Sequence, residues 1–295
     1  MSQTAPDWKV LYPFESHFLD VEGLRYHYLD EGEGPVLLMS HGNPTWSFFF
    51  RELVKAFSPR YRVVVPDHIG CGLSEKPGEH AYPFTLARRI DDLRALVESL
   101  DLRDITLIAH DWGGAIGMGA AAALPERFSR FVLMNTAAFR SERIPGRINL
   151  CRIPGFGRFC VQGMNLFVQA ALLMASNRPG GLSPEVQAGL AAPYDSWKNR
   201  RAVFRFVLDI PMDERHPSYK TLTDLEKALP TLADRPTCFI WGMRDWCFPE
   251  EFLDRFLEVF PNATVHRIAD AGHYLVEDAP EEVIEYIDRF LMTTE

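Results

Sequence analysis

The order of hydrophobic and polar positions divides the first 136 residues into short strands and longer helices. Apolar runs that end at turn-forming residues predict strands at 24–29, 36–39, 61–65, 105–109 and 131–134. Apolar residues that recur every three or four positions, or small residues in a continuous run, predict helices at 84–100 and 112–124. Strands that alternate with helices indicate the α/β class, with a mostly parallel sheet covered on both faces.

This alternation stops after Asn135 and resumes near residue 228. The residues between are rich in Arg, Pro, Gly, Phe and Met and contain no convincing strand. Helical periodicity among them occurs at 159–174, 184–190 and 198–207. Beyond them, strands are predicted at 237–241 and 264–268, and helices at 250–259 and 280–291. We therefore predict an α/β core formed by residues 1–136 and 228–295, interrupted by a helical cap at 137–227.

Composition and charge limit the classes of partner. With 295 residues, 47% of them apolar and 24% charged, the chain is long enough for one large domain with an insertion. Its net charge of −9 predicts that it binds neither nucleic acid nor another acidic, phosphate-bearing partner. The five cysteines are odd in number and include no Cys-x-x-Cys pair, so the sequence predicts neither a disulfide framework nor a zinc site.

The sequence also predicts a location for the protein. Its first residues, MSQTAPDWKV, lack the charged, apolar and small-residue order of a secretory signal. No apolar run reaches the roughly 18 residues that a membrane span requires. We therefore expect a soluble, cytoplasmic protein without a membrane span, and its oligomeric state stays open.

The segment IAHDWGG (108–114) lies between a predicted strand and a predicted helix. It matches the nucleophile elbow of α/β hydrolases, with Asp111 in the position of the usual serine. Ala109 and Gly113 meet the need for small side chains where a sharp turn brings two backbones together. The turn lifts Asp111 to a helix N-terminus, where backbone N–H groups favour an anion. The alternative is that Asp111 only caps the helix.

Two later loops supply the partners that a carboxylate nucleophile requires. Asp245 follows the strand predicted at 237–241, and His273 follows the strand predicted at 264–268. The order nucleophile, acid, histidine is the order of α/β hydrolases, in which all three residues lie at the carboxyl edge of the sheet. We predict His273 as the base and Asp245 as the acid that orients it. Taken singly, Asp245 is typical of a turn and His273 of a hydrogen-bonded loop.

The segment HGNPTWS (41–47) follows the predicted strand 36–39 directly. In α/β hydrolases this loop supplies one N–H group of the oxyanion hole, and the residue after the nucleophile supplies the other. Here these are the backbone groups of Asn43 and Trp112. The side chains of both residues are uncharged N–H donors, which suit a departing halide. Alternatively, Asn43 shapes the turn before Pro44, and Trp112 belongs to the core.

With these residues in place, the chain resembles the haloalkane dehalogenase family over nearly its full length. The matching motifs are HGNPTW (41–46), PDHIGCG (66–72), HDWGG (110–114), APY (192–194) and GH (272–273). In that family the acid follows either the sixth or the seventh strand. Residue 135 is Asn and cannot serve, whereas Asp245 can. Asn43 and Trp112 as halide holders, with a late acid, resemble the third subfamily.

The same residues resemble the β-lactone decarboxylases of bacterial olefin biosynthesis. These enzymes share the fold and the Asp nucleophile, and the segments 67–72 and 192–211 resemble them closely. The motifs do not separate the two families; we predict hydrolytic dehalogenation as the function and keep lactone decarboxylation as the alternative. Tyr194 departs from both families, in which Phe is expected, and its phenol is a candidate donor to the site.

Three further alternatives are less well supported by the residues. Epoxide hydrolases share the elbow but carry an aromatic residue at position 43, and Tyr194 and Tyr219 are the candidates for their two cap tyrosines. Fluoroacetate dehalogenases place Arg after the nucleophile, where this chain has Trp112. A binding module without turnover is disfavoured by the complete set of Asp111, Asp245 and His273.

The resemblance implies a small apolar substrate and no metal or organic cofactor. In the dehalogenase mechanism Asp111 displaces halide from carbon, and water activated by His273 hydrolyses the resulting ester to an alcohol. In the decarboxylase mechanism Asp111 opens the lactone ring, carbon dioxide leaves and an alkene remains. In either case we expect apolar residues of the cap to line the pocket. The candidates are Phe159, Leu166, Phe167, Leu172 and Leu173.

Overall fold

The computed structural model describes residues 7–294 and is built around one eight-stranded sheet. The strands are β1 (His17–Val21), β2 (Leu24–Glu31), β3 (Val36–Ser40), β4 (Arg62–Pro66), β5 (Ile105–Asp111), β6 (Phe128–Thr136), β7 (Thr237–Gly242) and β8 (Thr264–Ile268). Their spatial order is β1-β2-β4-β3-β5-β6-β7-β8. β2 pairs antiparallel with both of its neighbours, β1 and β4, and all the other neighbouring strands pair in parallel. The predicted mostly parallel α/β sheet is therefore confirmed.

Helices connect the strands and fill the long gap between β6 and β7. The α-helices are α1 (Arg51–Phe57), α2 (Leu86–Ser99), α3 (Trp112–Ala123), α4 (Gly146–Leu150), α5 (Phe156–Arg158), α6 (Leu166–Met174), α7 (Pro184–Ala191), α8 (Arg201–Leu208), α9 (Tyr219–Ala228), α10 (Glu250–Val259), α11 (Leu275–Asp278) and α12 (Pro280–Thr293). One π-helical turn spans Phe159–Gly163. Short 3₁₀ turns lie at Trp8–Leu11, Ser47–Phe50, Pro125–Arg127, Ala192–Tyr194 and Leu229–Leu232.

Two apolar layers bury the sheet, one on each face. The first contains residues from α2, α3, α9 and α10, and the second contains residues from α1, α11 and α12. Alternate residues of each central strand enter opposite layers, as Leu107 and Ile108 do in β5. A strand that is buried on both faces must be apolar throughout, which is why the central strands were predicted from continuous apolar runs.

One strand and five α-helices were not predicted from the sequence. They are β1, α1, α4, α5, α9 and α11. The β1–β2 hairpin turns through Glu22 and Gly23, both of which have positive φ (53° and 82°). Such a turn usually has the sequence Asn-Gly or Asp-Gly, so Glu-Gly gives no clear hairpin signal. α1 has only seven residues, of which Arg51, Leu53, Val54 and Phe57 are buried, so its helical period spans less than two turns.

Six α-helices, α4 to α9, lie between β6 and β7, and no strand occurs among the described residues of this segment. The single helix predicted at 159–174 is divided, because Asn165 adopts a left-handed conformation with φ of 59°. No helix within residues 7–294 is long and apolar enough to cross a membrane.

Candidate active site

The sharp turn between β5 and α3 presents the side chain of Asp111 at the carboxyl edge of the sheet. Asp111 has φ of 52° and ψ of −129°, a strained conformation for a residue with a Cβ atom. The Thr136 hydroxyl donates a hydrogen bond to the carbonyl oxygen of Asp111 and helps to hold this turn. A Cβ atom at Gly113 would lie 1.9 Å from the carbonyl oxygen of Ser40, so only glycine fits there. The predicted elbow geometry is present.

The carboxylate of Asp111 is buried and held by backbone donors. The N–H of Asn43 donates to Oδ1 of Asp111 at 2.7 Å. Burial raises the pKa of Asp111 above its ordinary value, while His273 and the backbone N–H groups of Trp112 and Asn43 oppose this shift. The two N–H groups predicted for an oxyanion hole therefore both favour the charged form of this carboxylate.

The imidazole of His273 lies between the two predicted carboxylates. Its Nδ1 donates to Oδ2 of Asp245 at 2.8 Å, and its Nε2 lies 3.7 Å from Oδ2 of Asp111. Burial lowers the pKa of His273, but the charge and hydrogen bond of Asp245, together with the charge of Asp111, outweigh it and raise the pKa above its ordinary value. The three residues predicted from separate loops are thus brought together.

Asn135 explains how the loop that carries Asp245 is fixed. Its side-chain amide donates to the carbonyl oxygen of Gly242 at 3.1 Å and accepts from the N–H of Gly242 at 2.7 Å. It also donates to the carbonyl oxygen of Phe248 at 3.4 Å. The residue at the end of β6 is therefore not an acid that supports His273. It positions the loop after β7, a role that the sequence did not reveal.

A buried hydrogen-bond network around Asp67 supports the loop that carries Asn43. Asp67 accepts hydrogen bonds from the backbone N–H of Ser47 at 2.7 Å and of Leu73 at 2.8 Å, and its Oδ2 lies 2.8 Å from Nδ1 of His27. Burial raises the pKa of Asp67, but the charge and hydrogen bond of His27 outweigh this effect, so the pKa lies below its ordinary value. The motif at 66–72 carried the only sequence signal for this network.

Two apolar cavities meet at Asp111. The first lobe has a volume of about 250 Å³ and the second lobe about 120 Å³. The residues that line both lobes are Asp111, Trp112, Ile148, Ile210 and Cys247. The first lobe continues along α6, and the second continues toward Phe139, Leu222 and Phe252. The carboxylate of Asp111 therefore lies at the junction of a branched apolar space.

The predicted lining of the pocket is correct for two of its five residues. Leu166 and Phe167 line the first lobe, together with Ala170, Ala171 and Met174. This spacing is that of one face of a helix. Leu172 is buried against the core instead, and Leu173 and Phe159 are exposed. The prediction for these three residues is wrong because the break at Asn165 and the helical period turn them away from the lobe.

The two tyrosines considered as cap donors lie outside both lobes. The hydroxyl of Tyr194 is buried and donates to the carbonyl oxygen of Thr45 at 3.3 Å. The hydroxyl of Tyr219 accepts from Arg140 at 3.0 Å. A different tyrosine, Tyr274, lines the first lobe beside His273. The pair required for an epoxide hydrolase is therefore not formed by Tyr194 and Tyr219.

The side chains of Asn43 and Trp112 line the first lobe next to Asp111. The Asn43 amide donates to the carbonyl oxygen of Val203 at 3.3 Å, while its own oxygen has no partner among the described residues. No described residue accepts a hydrogen bond from the indole N–H of Trp112. Trp112 thus presents a donor group where the two lobes meet, and the Asn43 amide lies beside Asp111 in the first lobe.

The match to a known family agrees with this geometry. Residues 35–280 match the family model described as alpha/beta hydrolase fold. The chain belongs to the alpha/beta hydrolase fold family.

Two similar proteins share the name cis-3-alkyl-4-alkyloxetan-2-one decarboxylase. That of Shewanella oneidensis is 44% identical over 289 residues, covering 97% of this chain and 91% of its own length. That of Xanthomonas campestris is 40% identical over 292 residues, covering 95% of this chain and 97% of its own length. Haloalkane dehalogenase 2 of Mycobacterium tuberculosis is 32% identical over 285 residues, covering 95% of this chain and 96% of its own length.

Solved structures of haloalkane dehalogenases have the same fold. Haloalkane dehalogenase DbeA from Bradyrhizobium elkani superimposes with a TM-score of 0.85 at 26% identity, covering 95% of this chain and 99% of that chain. The sequence-based resemblance to the dehalogenases and the β-lactone decarboxylases is therefore confirmed.

Proposed function

We propose that this protein decarboxylates β-lactones that carry two alkyl groups, giving an alkene and carbon dioxide. The observation that carries this proposal is the identity of 44% and 40% to two proteins named for this activity, against 32% to a haloalkane dehalogenase. Hydrolytic dehalogenation, the function predicted first from the sequence, becomes the second candidate, because the relatives support the alternative better.

The shape of the cavity supports the same substrate class. A lactone with alkyl groups on adjacent ring carbons has two apolar arms that diverge from one reactive ring. The two lobes diverge from Asp111 in the same manner, and both are lined mainly by apolar side chains. A linear haloalkane has one arm and needs only one lobe.

The proposed reaction uses Asp111 as a nucleophile without water. One oxygen of Asp111 attacks the ring carbon that bears the ring oxygen, the carbon–oxygen bond of the ring breaks, and a free carboxylate is formed. That carboxylate then loses carbon dioxide. The electron pair of the broken carbon–carbon bond forms the alkene and expels Asp111 as a carboxylate. No proton is consumed, and the starting enzyme is restored.

The surrounding groups have defined roles in this proposal. The side chains of Asn43 and Trp112 donate to the carboxylate that develops when the ring opens, because both line the lobe beside Asp111. His273, held by Asp245, places positive charge near Asp111 and favours its departure as an anion. The helices within 137–227 act as a cap, since residues of α4 and α6 supply one wall of the first lobe.

The second candidate is favoured by the complete His273–Asp245 pair. A buried histidine that is oriented by a carboxylate can act as the general base that activates water. Ester hydrolysis requires such a base, and decarboxylation does not. In this mechanism Asn43 and Trp112 hold the halide, and His273 directs water to the ester of Asp111.

The test compares both substrates on one preparation. Purified protein is given a synthetic cis-3,4-dialkyl oxetanone and a panel of 1-bromoalkanes, with alkene measured by gas chromatography and bromide by ion chromatography. We expect sustained alkene formation and at most trace bromide release, and both lost in Asp111→Asn. Sustained bromide release without alkene would reverse the order of the two candidates.

Isotope labelling of Asp111 distinguishes ester hydrolysis from decarboxylation. After many turnovers in ¹⁸O-labelled water, hydrolysis of an ester introduces label into the Asp111 carboxylate. Ring opening followed by decarboxylation leaves both oxygens of Asp111 unlabelled. Mass spectrometry of the peptide that contains residues 105–111 measures the outcome, and label incorporated during lactone turnover would contradict the proposed mechanism.

A further inference from the structure

Charge is distributed unevenly along this acidic chain. Residues 143–208 contain nine Arg or Lys and only two acidic residues, a balance of +7 in a chain whose net charge is −9. No acidic residue occurs between 143 and 184. The overall charge that argued against phosphate-bearing partners therefore conceals a basic segment within the cap.

Most of these basic side chains have no carboxylate partner. Arg143 pairs with Glu251 and Arg158 with Glu79. The other seven lie beyond ion-pair distance of every acidic side chain in the described part of the chain. They are Arg147, Arg152, Arg178, Lys198, Arg200, Arg201 and Arg205. Arg147 is exposed and lines the first lobe, and Lys198 is exposed beside Trp197.

The same segment exposes seven large apolar side chains, four of which line the first lobe. Four residues that line the lobe are also 39% to 50% exposed: Leu150, Phe156, Leu166 and Met174. A second group, Phe159, Met164 and Trp197, is 46% to 59% exposed. A Cβ atom at Gly163 would lie 3.3 Å from the Trp197 ring and 3.6 Å from that of Phe159, so both rings lie beside Gly163. We call these seven residues the rim.

We propose that the rim, with Arg147 and Lys198, docks onto an anionic lipid surface. Exposed Phe, Leu, Met and Trp side chains, together with exposed Arg147 and Lys198 that have no carboxylate partner, are the combination that inserts at the interface of a membrane with anionic headgroups. Large exposed apolar side chains that cluster on a surface mark interaction sites. The charge is complementary to lipid phosphate, whereas the rest of the chain is acidic and is repelled from it.

Docking in this orientation places the opening of the first lobe against the lipid. A long-chain apolar substrate then passes from the membrane to Asp111 without crossing water. This delivery rests on the proposed function, but the docking itself does not depend on which reaction the site performs.

The experiment measures binding to vesicles without using activity. The full-length protein is sedimented with vesicles of phosphatidylcholine alone or of phosphatidylcholine with an equal part of phosphatidylglycerol. We expect binding only to the anionic vesicles, weakened by added salt. Lys198→Glu should lower the affinity roughly tenfold, and the triple variant F159S/M164S/W197S by about tenfold or more.

Two control variants make the same kinds of substitution elsewhere on the surface. Met292→Ser alters an exposed apolar residue of α12, and Lys227→Glu reverses an exposed charge of α9. Both should leave vesicle binding unchanged. Because none of the altered residues lines either lobe, all variants should keep the wild-type melting temperature and the wild-type rate on a short-chain, water-soluble lactone.

Three results would overturn the proposal. The first is no binding to anionic vesicles. The second is equal loss of binding in the rim and control variants. The third is that the wild type forms a dimer in sedimentation equilibrium, the rim variants are monomers, and vesicle binding is the same in both. None of these results bears on alkene formation, so failure here is distinct from failure of the proposed reaction.

Discussion

Nε2 of His273 lies 3.7 Å from Oδ2 of Asp111, beyond hydrogen-bonding distance, while Asn43 holds the other carboxylate oxygen at 2.7 Å. One oxygen of Asp111 is therefore positioned by the Asn43 backbone, and in both proposed mechanisms a carboxylate oxygen attacks a substrate carbon. Because ring opening of a lactone and displacement of a halide would both give an ester of Asp111, the fate of that ester separates the two proposals.

Replacing His273 by Phe should affect hydrolysis and decarboxylation differently. Hydrolysis of an Asp111 ester needs a base, so its rate should fall by about 10²- to 10⁴-fold, and an alkyl adduct from a reactive bromoalkane should accumulate on the protein. Alkene formation should fall by only about tenfold, since it needs no proton transfer. Intact-mass spectrometry and alkene assays measure both effects. His266→Phe, outside both lobes, is the control, and equal losses in the two reactions would contradict this mechanism.

Asp245→Asn should lower the pKa of His273, because Asp245 is the largest favourable influence on its charged form. Stability from this pair is fully present below the ordinary histidine pKa of 6.5 and is lost as pH rises through the raised pKa of the folded state. The wild type should therefore be more stable than the variant at pH 6, by roughly 1–3 kcal/mol, and the difference should shrink at alkaline pH. NMR titration of His273 and denaturant unfolding at several pH values test this, and a constant difference would count against it.

Filling one lobe should remove tolerance for one alkyl arm. Ala137 lines only the second lobe and Ala170 lines only the first. Ala137→Phe should lower kcat/KM for lactones with two long arms by about tenfold or more, yet spare those with one short arm. Ala170→Phe should give the opposite dependence on which arm is shortened. Rates on lactones of matched total length but different arm lengths measure the effect. Identical profiles for the two variants would argue against separate sites for the arms.

Asn135→Asp should destabilise the fold and fail to replace Asp245. The substitution removes the donor to the Gly242 carbonyl and sets a carboxylate against it, at a cost of roughly 2–4 kcal/mol. In the double variant N135D/D245N, activity should remain at the level of Asp245→Asn alone, because residue 135 contacts Gly242 and Phe248 rather than His273. Thermal unfolding and alkene assays provide the measurements. Recovery of activity would show that this loop can rearrange.

The sequence by itself determined seven of the eight strands and the positions of Asp111, Asp245 and His273 at their ends. Strand periodicity is a local feature of the sequence. The elbow is local as well, because the sharp turn at Asp111 requires small residues next to it. Parallel strands end at the same edge of a sheet, so residues that directly follow β5, β7 and β8 converge whatever the connections are. That is why three separate loops could be assigned to one site.

Only the tertiary structure decided which side chains face the site and what shape it has. Asn43 is hydrogen-bonded to Val203, 160 residues away, and Tyr194 turns from the lobes to reach Thr45. The two lobes arise where residues 137–227 pack on the sheet, and Phe159 lies in a π-helical turn that leaves its side chain exposed. A sequence pattern specifies the face of one element, whereas a cavity or a surface depends on how distant elements pack against each other.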